Sequence, residues 1–131
     1  MERKAIICID DEIIILNSLV EQLEKSFGPD YIYEQAESAE EGFELIEDLE
    51  DDDIEIAIIV CDWLMPGLKG DEFLLKMDLK YPRVVKILLT GQADEGLVYN
   101  LKQEAERFAV VQKPWGKEEL MNTIKTRMLN E

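Results

Sequence analysis

The stretch Ile54-Glu55-Ile56-Ala57-Ile58-Ile59-Val60-Cys61-Asp62 decides the fold. It is largely apolar, rich in Ile, and stops on a carboxylate. A continuous run of this kind reads as a strand buried on both faces, the form found in parallel sheets covered by helices. Ala5 to Ile9, Val84 to Leu89 and Phe108 to Val111 share its character. Each soon gives way to polar residues: Asp10-Asp11-Glu12, Thr90-Gly91 and Lys113-Pro114. Tyr31 to Ala36 alternates and is more polar, which places it at a sheet edge.

Helical spacing fills the intervals. Leu16, Leu19, Val20, Leu23 and Phe27 lie on one face of a first helix that Gly28-Pro29 stops. Ser38-Ala39-Glu40-Glu41 has the capping-box pattern, in which the Ser hydroxyl and the Glu three residues later satisfy free amides of the first turn. Further helices fit Asp71 to Lys80, Ala93 to Gln103, and Lys117 to Leu129, the last with Leu120, Ile124 and Met128 on one stripe. The acidic patch Glu47 to Asp53 marks a solvated helix end and loop. Strand and helix alternate five times, and parallel strands require right-handed crossovers. The pattern predicts an α/β three-layer sandwich, a five-stranded parallel sheet with five helices, as one domain over residues 1–131.

A chain of 131 residues, 47% of them hydrophobic, closes one core. Its 30 acidic and 14 basic side chains give a formal net charge of -16. Such a surface repels phosphate backbones and anionic lipid, so direct nucleic-acid binding and membrane association are disfavoured. No apolar run approaches the roughly 20 residues that span a bilayer. Met1-Glu2-Arg3-Lys4 leads into a strand rather than a signal peptide, and a cytoplasmic location is expected. Cys8 and Cys61 sit inside apolar runs as small hydrophobes. The chain has no His, which excludes imidazole acid-base chemistry and most zinc sites.

In open parallel sheets, functional groups gather beyond the carboxyl ends of the strands. Asp10, Asp11 and Asp62, brought together there, would repel one another unless a cation neutralised them. Oxygen-only ligands favour Mg²⁺. Thr90 and Lys113 supply what an incoming phosphoryl group needs, a hydroxyl donor and a positive charge. Each residue has a plainer use: an acidic first helical turn for Asp10-Asp11-Glu12, a turn for Asp62, a strand end for Thr90, a solvated Lys113. Their conjunction at four strand ends outweighs those separate uses.

The ordered set Ile9-Asp10-Asp11-Glu12, Cys61-Asp62-Trp63-Leu64-Met65-Pro66-Gly67 with Gly70, Leu89-Thr90-Gly91 and Lys113-Pro114-Trp115 resembles the CheY-like receiver domain of two-component response regulators, from Arg3 to Leu129. The resemblance implies the strand order 2-1-3-4-5 and phosphorylation of Asp62 by a histidine kinase or histidine phosphotransfer protein. It implies Mg²⁺, for which Mn²⁺ can substitute, bound by Asp11, Asp62 and the backbone carbonyl of Leu64, with Asp10 acting through water. Thr90 and Lys113 would hold phosphoryl oxygens, Gly91 would leave the site open, and the Lys113-Pro114 bond would be cis. The protein would then be no turnover enzyme, but a substrate that assists its own phosphotransfer and dephosphorylation. Phosphorylation would alter the surface of the fourth helix, fifth strand and fifth helix, which carries output to a further domain or protein or to a second copy in a homodimer. Gly96 would soften the fourth helix by roughly 1 kcal/mol relative to Ala, as suits a moving element.

Three positions depart from the family pattern or add to it. The coupled aromatic of the family falls at Val110; Phe108, on the same side of the strand, is the candidate substitute, with core packing as its plainer role. Leu64 cannot orient an attacking water by hydrogen bonding, which predicts slow autodephosphorylation. Ile14 lies opposite the apolar stripe of the first helix and is a candidate kinase-docking contact, unless a loop covers it. A phosphatase resembling the haloacid dehalogenases needs a second Asp where Leu64 stands. A flavin-binding flavodoxin needs a phosphate loop where Asp10-Asp11 would repel phosphate. The competing reading is a phosphorylation-independent interaction module on the same fold. The chain is read as a free-standing receiver or the N-terminal part of a longer regulator.

Overall fold

In the computed structural model, which describes residues 3–91 and 107–129, the strands are β1 (Lys4–Ile9), β2 (Tyr31–Ala36), β3 (Ile56–Asp62), β4 (Val85–Thr90) and β5 (Ala109–Gln112). The helices are α1 (Ile13–Phe27), α2 (Ala39–Asp51), α3 (Gly70–Lys80) and α4 (Lys117–Leu129). The strands pair in the order β2-β1-β3-β4-β5, and every neighbouring pair is parallel. Four helices stand among the described residues; the helix expected over Ala93 to Gln103, with Gly96, lies outside them.

The continuous apolar runs are explained by two cores, one on each face of the sheet. Ile7, Ile9, Ile59, Cys61 and Leu88 pack against Ile46 and Leu49 of α2 and Phe73, Leu74 and Met77 of α3. Ile6, Cys8, Ile58, Val60, Ile87 and Leu89 point the other way, against Leu16, Leu19 and Leu23 of α1 and Leu120, Met121 and Ile124 of α4. Each such side chain stabilises the fold by roughly 1.5–3 kcal/mol relative to an exposed one, so both faces of a central strand must be apolar.

Local chemistry sets the element ends. α1 stops at Gly28, whose φ of 78° suits glycine and whose N–H donates to Glu24 O at 2.9 Å. At the start of α2, Glu41 N–H donates to Ser38 Oγ at 3.1 Å. The Glu41 carboxylate accepts from Glu37 N–H at 2.9 Å, one residue earlier than a standard capping box places it. The acidic patch does end α2, with Asp53 in the left-handed region at φ 57°.

Two features differ from the sequence reading. β5 is not buried on both faces like β1, β3 and β4: it forms the second sheet edge, starts at Ala109, and leaves Val110 half-buried, while Phe108 packs in the core just before it. β4 is not purely apolar either. Lys86 in its middle is 2% exposed, donates to Val84 O at 2.7 Å and pairs with Asp78 Oδ1 of α3 at 3.0 Å. Pairing is what allows a charge at that depth.

Candidate functional site

The carboxyl ends of β1, β3, β4 and β5 meet at one rim of the sheet. Asp10 follows β1 directly and is fully buried; its Oδ1 accepts from Glu12 N–H at 2.9 Å. Asp62 closes β3 with 6% exposure, while Asp11 is exposed. Carboxylate oxygens of Asp10, Asp11 and Asp62 all lie within 4.8 Å of one another. Lys113, just past β5, reaches across with Nζ 2.9 Å from Asp10 Oδ2 and 2.9 Å from Asp62 Oδ1. The Lys113-Pro114 peptide is cis. Lys113 N–H donates to Thr90 O at 2.7 Å, which ties the ends of β4 and β5 together.

Electrostatics follow from this crowding. Burial pushes the Asp62 carboxyl up to about 6; Lys113 opposes the rise, and Asp10 and Asp11 add to it. Burial acts to lower the Lys113 ammonium, but its bonds to Asp62 and Asp10 outweigh that and hold it above the usual lysine value. Thr90 is fully buried, and its Oγ1 has no hydrogen-bond partner among the described residues. An unpaired buried hydroxyl costs roughly 1–3 kcal/mol, so a polar ligand reaching it would be favoured. Hard oxygen donors converging on one point, with a single ammonium among three carboxylates, fit a divalent cation such as Mg²⁺.

Asp11, Asp62, Leu64, Gly91 and Lys113 line a cleft of about 460 Å³ that opens this rim to solvent. Leu64 is 59% exposed there. Beside it, Ile14 is 81% exposed and lines a second, mainly apolar groove with Ile15, Ser18, Gln22, Pro114 and Trp115. Phe108 and Val110 stand apart from the rim: both pack into the core shared by α2 and α3. The thiols of Cys8 and Cys61 are pushed up by burial, which leaves them unreactive.

The sequence reading missed how the turn after Asp62 is held. Trp63 N–H donates to Leu89 O at 2.8 Å, and its indole Nε1–H donates to Asp71 Oδ1 at 3.0 Å. Gly70 N–H donates to Trp63 O at 2.9 Å, and a Cβ at Gly70 would overlap the Asp62 carbonyl oxygen. The signal available in the sequence was Gly70 itself, at the spot where α3 must start against the strand end.

A doubly wound parallel sheet with acidic, hydroxyl and lysine side chains at one rim is the architecture of a receiver domain. The chain belongs to that family: the profile described as "Response regulator receiver domain" matches residues 6–125. Sensor kinase CckA of Brucella abortus is 30% identical over 95 residues, 72% of this chain and 10% of that protein. Hydrogenase transcriptional regulatory protein HoxA of Cupriavidus necator is 33% identical over 70 residues, 53% of this chain and 14% of that protein. The chain thus spans a small part of the curated relatives it matches. The response regulator receiver domain protein (CheY-like) of Methanospirillum hungatei superposes with a TM-score of 0.79 at 27% identity, covering 98% of this chain and 96% of that one. Among the described residues, no helix is long and apolar enough to cross a membrane.

Proposed function

We propose that this receiver domain is a phosphoacceptor switch in which Asp62 takes a phosphoryl group in a Mg²⁺-dependent reaction. The observation that carries the reading is the Lys113 ammonium held between Asp10 and Asp62, beside the buried Thr90 hydroxyl. Asp11, Asp62 and the Leu64 carbonyl would hold Mg²⁺, with Asp10 acting through water; Mn²⁺ would serve in its place. The ion would neutralise charge on the phosphoryl oxygens.

Asp62 then attacks phosphorus, an acyl phosphate forms, and the P–N bond to the donor histidine of a kinase or phosphotransfer protein breaks. Lys113 passes from the Asp62 carboxylate to a phosphoryl oxygen, and Thr90 Oγ1 donates to another. Gly91 keeps the approach open. The chain is both substrate and catalyst of one transfer and performs no turnover of its own. Leu64, exposed at the cleft mouth, offers attacking water no hydrogen bond, so the acyl phosphate decays slowly. The donor docks over Ile14 and the groove toward Trp115, and the surface beside β5 and α4 carries the output to a partner or a second copy.

Intact mass after incubation with acetyl phosphate tests this, with and without Mg²⁺, for the wild type and Asp62→Asn. One added phosphoryl group that needs both Mg²⁺ and Asp62 is expected. The second reading, a phosphorylation-independent interaction module, draws on Val110 standing at the coupling position and Phe108 already packed in the core. No adduct under any condition would favour it.

A further inference from the structure

Trp63 is the single residue between Asp62 and Leu64, and it is restrained at both backbone and side chain. Its N–H bond to Leu89 O fixes it to β4, and its carbonyl accepts from Gly70. The indole donates to Asp71 Oδ1 at 3.0 Å, and Lys69 Nζ lies 5.2 Å from the ring centroid. An indole N–H can only donate, and a carboxylate acceptor makes a stronger bond than a neutral one. The two peptide units that join Asp62 to Leu64 therefore meet at a residue whose side chain is anchored on the first turn of α3.

We infer that Asp71 is a positioning residue for the divalent-cation site, acting through the Trp63 indole to set the spacing of Asp62 and Leu64. The inference rests on the reading of those two residues as metal-binding positions. Groups that orient metal ligands change affinity by roughly 10–100-fold when removed. Asp71 acts one residue further out, so a loss of about 3–10-fold is expected. The rival explanation is charge alone: one more carboxylate near the rim would attract a cation without touching Trp63.

Two measurements separate these. The chain has two tryptophans, and the Trp115 indole donates to Gln22 Oε1 at 2.9 Å, so in metal-free protein its indole proton resonance serves as a reference for that of Trp63. Asp71→Leu is expected to shift the Trp63 indole resonance and leave the Trp115 one in place. Calorimetric Mg²⁺ titration of the wild type, Asp71→Asn, Asp71→Leu, Trp63→Phe and the Asp71→Leu/Trp63→Phe double variant gives the second readout. Asp71→Leu and Trp63→Phe should each weaken Mg²⁺ binding about 3–10-fold, the double variant no further, and Asp71→Asn, which keeps the acceptor, by less than about twofold. Asp71→Asn falling as far as Asp71→Leu, or losses that multiply in the double variant, would overturn the inference. A wild type that binds no Mg²⁺ would instead overturn the proposed function, and with it this role for Asp71.

Discussion

Lys113 Nζ lies 2.9 Å from Asp62 Oδ1, so the end of β5 is joined by charge to the end of β3. The same ammonium meets Asp10 Oδ2 at 2.9 Å. Removing it would leave two buried carboxylates repelling each other. Lys113→Met is expected to lower stability by about 2–3 kcal/mol without metal, and by clearly less under saturating Mg²⁺, which replaces the missing positive charge. Urea midpoints in chelator and in Mg²⁺ check this; an identical loss in both would count against it.

Asp62 gives the chain a pH dependence of definite sign. Its carboxyl is pushed by burial from 3.8 to about 6, so the folded chain binds this proton more tightly than the unfolded one. The stability it contributes is complete below the unfolded value and is lost as pH rises through the folded one. Asp62→Asn removes the titration. Without metal it should be more stable than the wild type by about 1 kcal/mol at pH 7, a figure discounted for solvent screening and for the lost bond to Lys113, and show no such gain near pH 4. Thermal unfolding in chelator at the two pH values reads the difference, and an equal gain at both would refute the assignment.

Gly70 is irreplaceable for a steric reason. A Cβ there would overlap the Asp62 carbonyl oxygen and crowd the Trp63 backbone, neither of which can rotate away. Gly70→Ala should cost about 3 kcal/mol and weaken Mg²⁺ binding as well. At Gly42 the nearest atom is Ile9 Cδ1 at 2.8 Å, the far end of a flexible side chain, so Gly42→Ala should cost about 1 kcal/mol and spare the metal site. Denaturation curves and Mg²⁺ titration of the two variants give the ranking; the reverse order would show that the β3–α3 turn is looser than its contacts imply.

The Lys86–Asp78 pair predicts an asymmetry. Asp78→Ala strands a buried ammonium with Val84 O as its remaining described acceptor and should cost about 3 kcal/mol. Lys86→Met keeps the volume and leaves an Asp78 that is 19% exposed and 3.9 Å from Arg107 Nε, so about 1 kcal/mol is expected. Equal costs in chemical denaturation would mean that the pair is not acting through burial.

What could be read from the sequence divides along physical lines. The runs ending at Ile9, Cys61 and Leu89 announced their strands because a central parallel strand must be apolar on both sides, and the stripe from Leu16 to Leu23 announced α1 because a helix laid on the sheet buries a single face. Asp10, Asp11, Asp62, Thr90 and Lys113 were legible as site candidates because parallel strands deliver their carboxyl ends to one rim. β5 was harder: Phe108 to Val111 is as apolar as the inner strands, and only the topology makes it an edge. Lys86 is illegible in the sequence because a single charge inside an apolar run carries no mark of its partner, Asp78, on another element. The Asp71 bond to Trp63 was hidden likewise, since an acidic residue in a helix's first turn already has a sufficient reason to be there.

The backbone bond from Lys113 to Thr90 O, at 2.7 Å, has a mechanical meaning. It holds together the backbones of the two residues that would grip a phosphoryl group, before any cargo arrives. Thr90 can answer by turning its hydroxyl about χ1, a rotation that needs no bending of the sheet. Any larger movement of β4 would carry the backbone of Lys113 with it, while the flexible lysine stem keeps its own freedom to turn.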